Sequence, residues 1–274
     1  MTVTSANIRS ALIKLGIEGR DVEVHSSFKS FGGVSDGPLG VIRPLLDVCS
    51  TVLMPAFHSV GRCKPPLNDR PLLNGIDYTQ PLADDDPVPF DPDSFSVHSP
   101  VTVEEMGVIP ALFLNQPGAV RSVHPAVSWV ANGPNASHYM KDHPADDPNI
   151  IAKRLYANSG FALLFGVALN RCTSVHLAEE LAGAKALIRW ARYKDGTIHR
   201  YRVSGCSAGF DNLAPFVKPH LRETQIGNCR VACYPLADMI PAAVSALRAN
   251  RSLVVCGRAG VCRCKDTAAG GPVD

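Results

Sequence analysis

The apolar residues of the N-terminal region switch repeatedly between helical and strand-like spacing. Residues 4–16, TSANIRSALIKLG, place apolar side chains three or four positions apart and end in glycine, which predicts a helix. Residues 21–27, DVEVHSS, and residues 50–57, STVLMPAF, predict two short strands. Between them, residues 38–48, PLGVIRPLLDV, predict a second helix. This alternation indicates an α/β sheet covered by helices.

The same alternation continues along the rest of the chain. Helices are predicted over GVIPALFLNQPG, IIAKRLYANSG, NLAPFVKPHL and LADMIPAAVSALRAN, and strands over AVRSVHPAVSWVANG, FALLFGVAL and RSLVVCG. The sequence KALIRWARYKDGTIHRYRVSG predicts a β-hairpin that turns at Asp195 and Gly196. Because no internal repeat or linker divides this series, we expect a single domain over residues 1–274.

Residues 58–100 interrupt the pattern. They contain eight prolines and seven aspartates and show little periodicity. A compact domain seldom carries an unstructured loop longer than about 15 residues unless it is a lid, a binding loop or disordered. We therefore expect this lid segment, residues 58–100, to be ordered by apolar anchors: Leu67, Leu72, Leu73, Ile76, Tyr78, Leu82, Phe90 and Phe95.

Composition and charge are those of an ordinary globular protein. The hydrophobic fraction is 46% and the net charge is +2, which gives no global field that would attract nucleic acid or an anionic membrane. The first residues lack the apolar core of a signal peptide, and no apolar run approaches the roughly 18 residues of a membrane span. We expect a cytoplasmic protein, a monomer or a homodimer, in which the nine cysteines stay reduced.

One short segment places acid–base groups directly after an apolar strand. RCTSVHLAEE follows FALLFGVAL, and its helical spacing allows either Glu179 or Glu180 to share a face with His176. Thr173 is positioned to cap the helix. Ligands of open α/β sheets bind beyond the carboxyl ends of strands, so this segment is a candidate for a base and its orienting carboxylate. A solvated helix face without chemistry is the alternative.

Four segments in this order resemble the aminoglycoside 3-N-acetyltransferase family, which is distinct from the GCN5-related acetyltransferases. They are DVEVHSSFKSFGG, TVLMPAF, FDPDSFSVHSPVTVEEMGVIPALFLNQPGAVRSVHP and LLFGVALNRCTSVHLAEELA, and the likeness covers roughly residues 5 to 210. The resemblance implies an α/β/α sandwich on a mixed sheet. It also implies transfer of acetyl from acetyl-CoA to the 3-amino group of the 2-deoxystreptamine ring, which gives antibiotic resistance.

The family motif T-x-x-H-x-A-E matches this chain at His176 and Glu179. The resemblance implies that His176 removes a proton from the substrate amine and that Glu179 stabilises the charged ring. Glu180 is the next candidate and is retained as a substrate-binding residue. The family often has an acidic residue in the helix after M-G, where this chain has Ala111, so Glu104 or Glu105 is a candidate to replace it.

Two further stretches match cofactor-binding motifs of the family. HSSFKSFGG resembles its cofactor loop, although an ordinary turn between a strand and a helix would have the same composition. Arg121 of RSVHP is a candidate for a CoA phosphate, or it holds the lid segment through an aspartate. His25 either points into the site or is a buried, satisfied histidine. The cofactor-binding candidates are Ser26, Ser27, Gly32, Gly33, Arg121, Ser122, His124 and Thr173.

The lid segment is acidic, which suits a polycationic substrate. Aminoglycosides carry several ammonium groups, and charge-assisted hydrogen bonds to carboxylates are the strong ones. Asp84, Asp85 and Asp86 are therefore expected to bind substrate, together with Glu104, Glu105 and His25.

Two sets of cysteines are candidates for chemistry: a group of four near the C-terminus, and Cys172. Cys256, Cys262 and Cys264 lie close together in a C-terminal tail, residues 251–274, and with Cys206 they supply the four thiolates of a structural zinc site. The spacing C-x5-C-x-C is unusual for zinc, so free buried thiols are the alternative. Cys172 beside Thr173 raises an acetyl-cysteine mechanism, which the family resemblance disfavours because it implies direct transfer.

Three rival functions differ in chemistry. An acetyl-CoA-dependent enzyme for a non-antibiotic biosynthetic amine keeps the reaction and changes the acceptor. A non-catalytic zinc-binding protein on the same fold would use the cysteines alone. A metal hydrolase is disfavoured because HLAEE lacks the H-E-x-x-H spacing that places two histidines on one metal.

Overall fold

A mixed sheet of seven strands lies at the centre of the protein, in the order β4-β5-β2-β1-β6-β10-β9. In this computed structural model the described residues are 2–82, 88–258, 260 and 262–273. β1 pairs in parallel with β2 and with β6, and the outer pairings are antiparallel. The strands are β1 Asp21–Ser26, β2 Thr51–Pro55, β3 Arg62–Cys63, β4 Val120–Arg121, β5 Trp129–Asn132, β6 Phe161–Phe165, β7 Leu187–Arg192, β8 Ile198–Val203, β9 Arg222–Ile226 and β10 Cys229–Pro235.

Helices cover both faces of this sheet, which confirms the predicted α/β/α sandwich. Neighbouring strand residues point to opposite faces, so Leu163 joins one core and Leu164 the other. One core packs against α1, α2 and α4, and the other against α5, α6, α7 and α9. The helices are α1 Ser5–Lys14, α2 Leu39–Val48, α3 Val103–Met106, α4 Val108–Phe113, α5 Ala136–Met140, α6 Ile150–Ala157, α7 Val175–Leu181, α8 Ala214–Val217, α9 Leu236–Ala249 and α10 Lys265–Ala268.

A second sheet contains three strands, in the order β3-β7-β8. β7 and β8 form the predicted hairpin, and its turn passes through Gly196 at φ +85°. Positive φ is sterically easy for glycine, which explains the Asp-Gly pair at this position. The strand β8 then leads directly into residues 204–207, which form part of the pocket described below.

Two predictions from the hydrophobic pattern were wrong, and one strand was missed. The predicted strand RSLVVCG is a 3₁₀ helix over Arg251–Val254, because the Asn250 side chain accepts from the Ser252 backbone and starts a turn. The predicted strand AVRSVHPAVSWVANG is two strands, β4 and β5, separated by a turn that contains Pro125. The strand β9, RETQI, was missed because an edge strand in contact with solvent needs few apolar residues.

The described part of the lid segment uses some of the anchors that we expected and not others. Leu67 is 84% exposed and Leu72 is 71% exposed, so neither is an anchor. Phe90 is buried as predicted. Asn74, also buried, exchanges two hydrogen bonds with the backbone of Ile188 in β7. In the described portion of the chain, none of the helices has the length and hydropathy needed to cross a bilayer.

Candidate active site

A pocket with a volume of about 850 Å³ lies at the carboxyl ends of the parallel strands β1, β2 and β6. This is where the strand order of an open α/β sheet leaves room for a ligand, as the sequence predicted. Residues that end or follow these strands line it: Ser26, Ser27, Pro55, Phe57, Gly166 and Val167. The helix α7 begins beside the same edge and contributes His176.

His176 and Glu179 form a hydrogen-bonded pair on α7, with His176 Nδ1 2.6 Å from Glu179 Oε2. His176 is 9% exposed, Glu179 is 7% exposed, and the imidazole packs edge-on against Phe210. A carboxylate on Nδ1 fixes the ring and leaves Nε2 as the nitrogen able to take a proton. The pair can therefore act as a general base with its orienting group.

Glu180 points away from this pair. Its carboxylate accepts from Asn149 at 2.8 Å and lies 2.7 Å from the Lys153 ammonium. It does not belong to the described lining of the pocket. Of the two glutamates, Glu179 is therefore the one in contact with His176, and the expectation that Glu180 binds substrate stays a prediction.

A fully buried carboxylate, Glu23, lies beneath the pocket. Ser174 Oγ donates to it at 2.7 Å and Cys172 Sγ at 3.3 Å. Burial raises the pKa of Cys172 well above its usual value, so this thiol is protonated near neutral pH and is a poor nucleophile. Ser174 also precedes the first helical residue, so the prediction that Thr173 caps α7 was wrong.

His25 lines the pocket from the end of β1 and is 6% exposed. Its Nε2 lies 3.3 Å from the backbone N–H of Thr173 and 3.7 Å from Glu23 Oε1, and its ring packs edge-on against Trp129. His25 is thus both a buried, hydrogen-bonded histidine and part of the pocket lining, and its role toward substrate stays a prediction. Thr173 lines the same pocket, as expected.

The loop HSSFKSFGG contributes only its first half to the pocket. Ser26 and Ser27 line it, and the buried Ser26 hydroxyl has no hydrogen-bond partner among the described residues. Gly32 and Gly33 lie outside the lining of this pocket, and their expected role at the cofactor stays a prediction. Gly32 ends a 3₁₀ turn at φ +73°, which requires glycine, and the Gly33 carbonyl accepts from the Val3 backbone.

Arg121 is a structural residue, which corrects its assignment to a CoA phosphate. Its guanidinium donates to Ser128 Oγ, and its other donors reach four backbone carbonyls. These carbonyls belong to Ala56, Ser96, Ser99 and Pro100. All five N–H donors of the side chain are thus engaged, and none is left for a phosphate. Arg121 does hold the lid segment, but through carbonyls and not through an aspartate.

Ser122 and His124 are also buried outside the pocket, and their expected cofactor role is wrong. Ser122 Oγ accepts from the Trp129 backbone and lies 2.9 Å from His143 Nδ1. His124 Nδ1 accepts from two backbone N–H groups, and burial lowers its pKa to about 2. The motif RSVHP therefore builds the turn between β4 and β5 and does not contact a ligand in this pocket.

Two cations of the pocket were missed in the sequence. Lys29 and Arg171 are both exposed and line the pocket from two short 3₁₀ helices, Phe28–Phe31 and Leu169–Arg171. Isolated basic residues in such short turns carry no periodic signal, so only their position identifies them. Of the expected acidic residues, Glu104 lines the pocket. Asp84, Asp85 and Asp86 lie outside the described residues, as does the side chain of Glu105.

The four cysteines of the predicted metal site come together. The Sγ atoms of Cys206, Cys256, Cys262 and Cys264 all lie within 4.8 Å of one another. Ser204, Gly205 and Ser207, which flank Cys206, line the pocket. The cluster therefore adjoins the wall of the pocket that these three residues form.

Comparison with known proteins gives consistent matches. The sequence model of the family described as Aminoglycoside 3-N-acetyltransferase matches residues 24–248. Aminoglycoside N(3)-acetyltransferase IX of Micromonospora chalcea is 31% identical over 195 residues, which cover 67% of this chain and 64% of that protein. Aminoglycoside N(3)-acetyltransferase IV of Salmonella sp is 32% identical over 184 residues, 65% of this chain and 59% of that protein. The matched region spans less than two thirds of either relative.

Solved structures match over nearly the whole chain. The crystal structure of aminoglycoside acetyltransferase AAC(3)-IVa, an apoenzyme, has a TM-score of 0.76 and 25% identity and covers 98% of each chain. The crystal structure of aminoglycoside acetyltransferase AAC(3)-Xa has a TM-score of 0.71 and 26% identity, covering 92% of this chain and 94% of its own. The mixed sheet with helices on both faces is thus a fold shared with these enzymes.

Proposed function

The chain belongs to the aminoglycoside 3-N-acetyltransferase family, and from this we propose that it transfers the acetyl group of acetyl-CoA to the 3-amino group of the 2-deoxystreptamine ring of aminoglycosides. One observation carries the proposal for this chain. The buried His176–Glu179 pair, with Nδ1 2.6 Å from the carboxylate, opens on the pocket at the carboxyl ends of the parallel strands. Such a transfer would give resistance to the antibiotic.

The pair supplies the proton transfer that this reaction needs. An aliphatic amine is mostly an ammonium ion at neutral pH and cannot attack a thioester until it loses a proton. His176 Nε2 removes that proton, and Glu179 stabilises the imidazolium and holds the ring. The nitrogen then bonds to the acetyl carbon, the C–S bond breaks, and the imidazolium returns its proton to the departing thiolate. The acylated nitrogen releases its second proton to solvent, which leaves the neutral amide.

The pocket also offers groups for the acetyl donor. Lys29 and Arg171 are positioned to bind the phosphates of CoA, because they are exposed cations on the pocket rim. The unpartnered Ser26 hydroxyl, which lines the pocket, is positioned to donate to the thioester oxygen. We assign these three side chains to the donor half of the site. Thr173 completes that half of the lining beside His25.

The acceptor half is less acidic than a polycation requires. Within the described lining, Glu104 is the acidic side chain, alongside two cations. Asp84, Asp85 and Asp86 therefore stay our proposal for the additional carboxylates that an aminoglycoside needs, and so does Glu105. The same scarcity favours, as a second candidate, an amine with fewer charges, such as a biosynthetic intermediate.

A thiol-release assay separates these candidates. Acetyl-CoA is supplied with a panel of aminoglycosides and with simpler amines, and the acetylated position of each product is determined by NMR. We expect turnover with 2-deoxystreptamine aminoglycosides and acetylation at the 3-amino group. Turnover confined to simple amines favours the second candidate, and no thiol release with any amine contradicts both.

A matched pair of histidine variants tests the assigned base. His176→Ala is expected to lower kcat by about 100- to 10,000-fold, the usual contribution of a general base. His138→Ala, a change at an exposed histidine on α5, serves as the control. A His176→Ala enzyme with wild-type Tm and a rate above half of wild type would remove His176 from the mechanism.

A further inference from the structure

Four cysteine sulfurs converge where the C-terminal tail meets the loop after β8. Cys206 comes from that loop, and Cys256, Cys262 and Cys264 come from the tail. Their Sγ atoms lie within 4.8 Å of one another, and the Cys256 and Cys264 sulfurs are 3.6 Å apart. Tetrahedral zinc with Zn–S bonds of about 2.3 Å requires sulfurs about 3.8 Å apart. The cluster therefore already has nearly the spacing of a four-thiolate site.

These thiols differ from the cysteines of the core in their surroundings. Cys229 and Cys233 are fully buried in β10, where they pack as apolar side chains. Three members of the cluster are only half-buried, and Cys264 alone is buried. Four thiols that face one another at a surface contribute little apolar packing. A common ligand explains their convergence, whereas core packing does not.

Backbone amides are aimed at two of the sulfurs. The Ala208 N–H lies 3.4 Å from Cys206 Sγ, and the Cys256 N–H lies 3.4 Å from Cys264 Sγ. The Arg258 guanidinium also reaches Cys206 Sγ at 4.0 Å. Donors of this kind stabilise sulfur that carries negative charge, as a metal-bound thiolate does.

We propose that Cys206, Cys256, Cys262 and Cys264 bind one structural zinc ion, which fixes the wall of the pocket formed by Ser204, Gly205 and Ser207. Each thiol gives up its proton to solvent when its sulfur bonds to the metal. Four protein ligands fill the coordination shell, so the metal has no open position for substrate.

Contacts of Gly205 and Ser204 connect the cysteine cluster to the pocket and to α7. A Cβ on Gly205 would lie 2.9 Å from Thr267 Oγ1, so the backbone of this loop packs directly on α10. The adjacent Ser204 hydroxyl donates to Asn149, which in turn donates to Glu180 on α7. The zinc site thus joins the tail, the pocket wall and the helix that carries His176. Its influence on substrate rests on the proposed function, whereas metal binding does not.

Metal analysis tests the site without any substrate. Protein from zinc-supplemented medium, purified under reductant and without chelator, is expected to contain about one zinc per chain by mass spectrometry. Cys262→Ser should lose the metal and lower Tm, because metal bound only by the folded state stabilises it. Cys49→Ala, a buried cysteine at the end of α2, should keep the metal.

Two results would overturn the zinc site. One is protein without zinc in which all four thiols react with a thiol reagent in the native state. The other is a disulfide between Cys256 and Cys264 that persists under reductant in peptide mapping.

If the protein turns over an aminoglycoside, Cys262→Ser should also raise KM for the aminoglycoside more than KM for acetyl-CoA. Equal changes in both KM values would overturn the role of the metal at the pocket wall. They would not bear on metal binding itself, which the zinc content decides.

Discussion

His176 Nδ1 and Glu179 Oε2 are 2.6 Å apart within a single turn of α7, and both side chains are almost fully buried. Residues three apart on a helix face the same side, so the spacing of the motif allows this contact. The neighbouring carboxylate of Glu180 lies on a different side of the helix and pairs with Lys153. The chain therefore provides two adjacent glutamates of which one can act on the histidine.

The glutamate pair gives the first prediction. Glu179→Gln should lower kcat by about 10- to 1,000-fold with little change in either KM, because the imidazolium loses the anion that stabilises it. Glu180→Gln is the matched control and should keep kcat near the wild-type value. Steady-state kinetics for both substrates, with Tm measured for each variant, checks the expected difference in kcat between the two variants. Equal losses of kcat in the two variants would contradict the assignment of Glu179.

This part of the site was predictable because it depends on local geometry. The spacing of His176 and Glu179 is a property of one helix, and the apolar strand before it placed that helix at the edge of the sheet. The choice between Glu179 and Glu180 was not predictable, since both spacings fit a helix. It was decided by Asn149 and Lys153, which lie on another helix or at its start.

The motif RSVHP shows the opposite case. The match of RSVHP to a family motif predicted ligand binding. Instead, the Arg121 guanidinium donates hydrogen bonds to four carbonyls and one hydroxyl. Ser122 and His124 are buried in the same turn. A motif can be required for the structure of a turn or for catalysis, and the sequence alone does not distinguish these two roles. The carbonyls that bind Arg121 come from distant segments, which no local pattern reveals.

The second prediction concerns Cys172. Its thiol is fully buried, donates to Glu23, and has a pKa well above the usual value, so no acetyl-cysteine should form. Cys172→Ser should retain most of the wild-type kcat, because the hydroxyl can still donate to the carboxylate. Intact-protein mass spectrometry after mixing with acetyl-CoA alone should find no added acetyl group. A 42-Da adduct (about the mass of one acetyl group in place of hydrogen) that disappears in Cys172→Ser would establish a covalent mechanism instead.

The third prediction concerns the pocket cations. Lys29→Met and Arg171→Met should each raise KM for acetyl-CoA more than KM for the amine, since each removes a charge positioned for a phosphate. Added salt should raise the same KM in the wild type, because exposed charge pairs are screened. Lys218→Met, at an exposed lysine outside the pocket lining, is the control. An unchanged KM for acetyl-CoA in both variants would place the phosphates elsewhere.

Three buried histidines, of which His58 begins the lid segment, give the last prediction, which concerns stability. His58 Nδ1 accepts from the Val60 backbone, and its Nε2 donates to the His124 carbonyl at 2.9 Å. Burial lowers the pKa of both His58 and His143 to about 4, and that of His124 to about 2. Protonation would place a charge in each buried site, and at His58 and His124 it would also remove a hydrogen-bond acceptor.

The lowered pKa values of these histidines determine how the free energy of unfolding changes with pH. An unfolded histidine has a pKa of about 6.5, so between about pH 6.5 and pH 4 the unfolded chain binds more protons than the folded one. The free energy of unfolding should therefore fall as the pH decreases through this window. Urea denaturation from about pH 7 to about pH 5 measures the slope. His143→Gln should reduce that slope, whereas His138→Gln, at an exposed histidine, should leave it unchanged. A wild-type slope retained in His143→Gln would show that His143 does not contribute to the acid sensitivity.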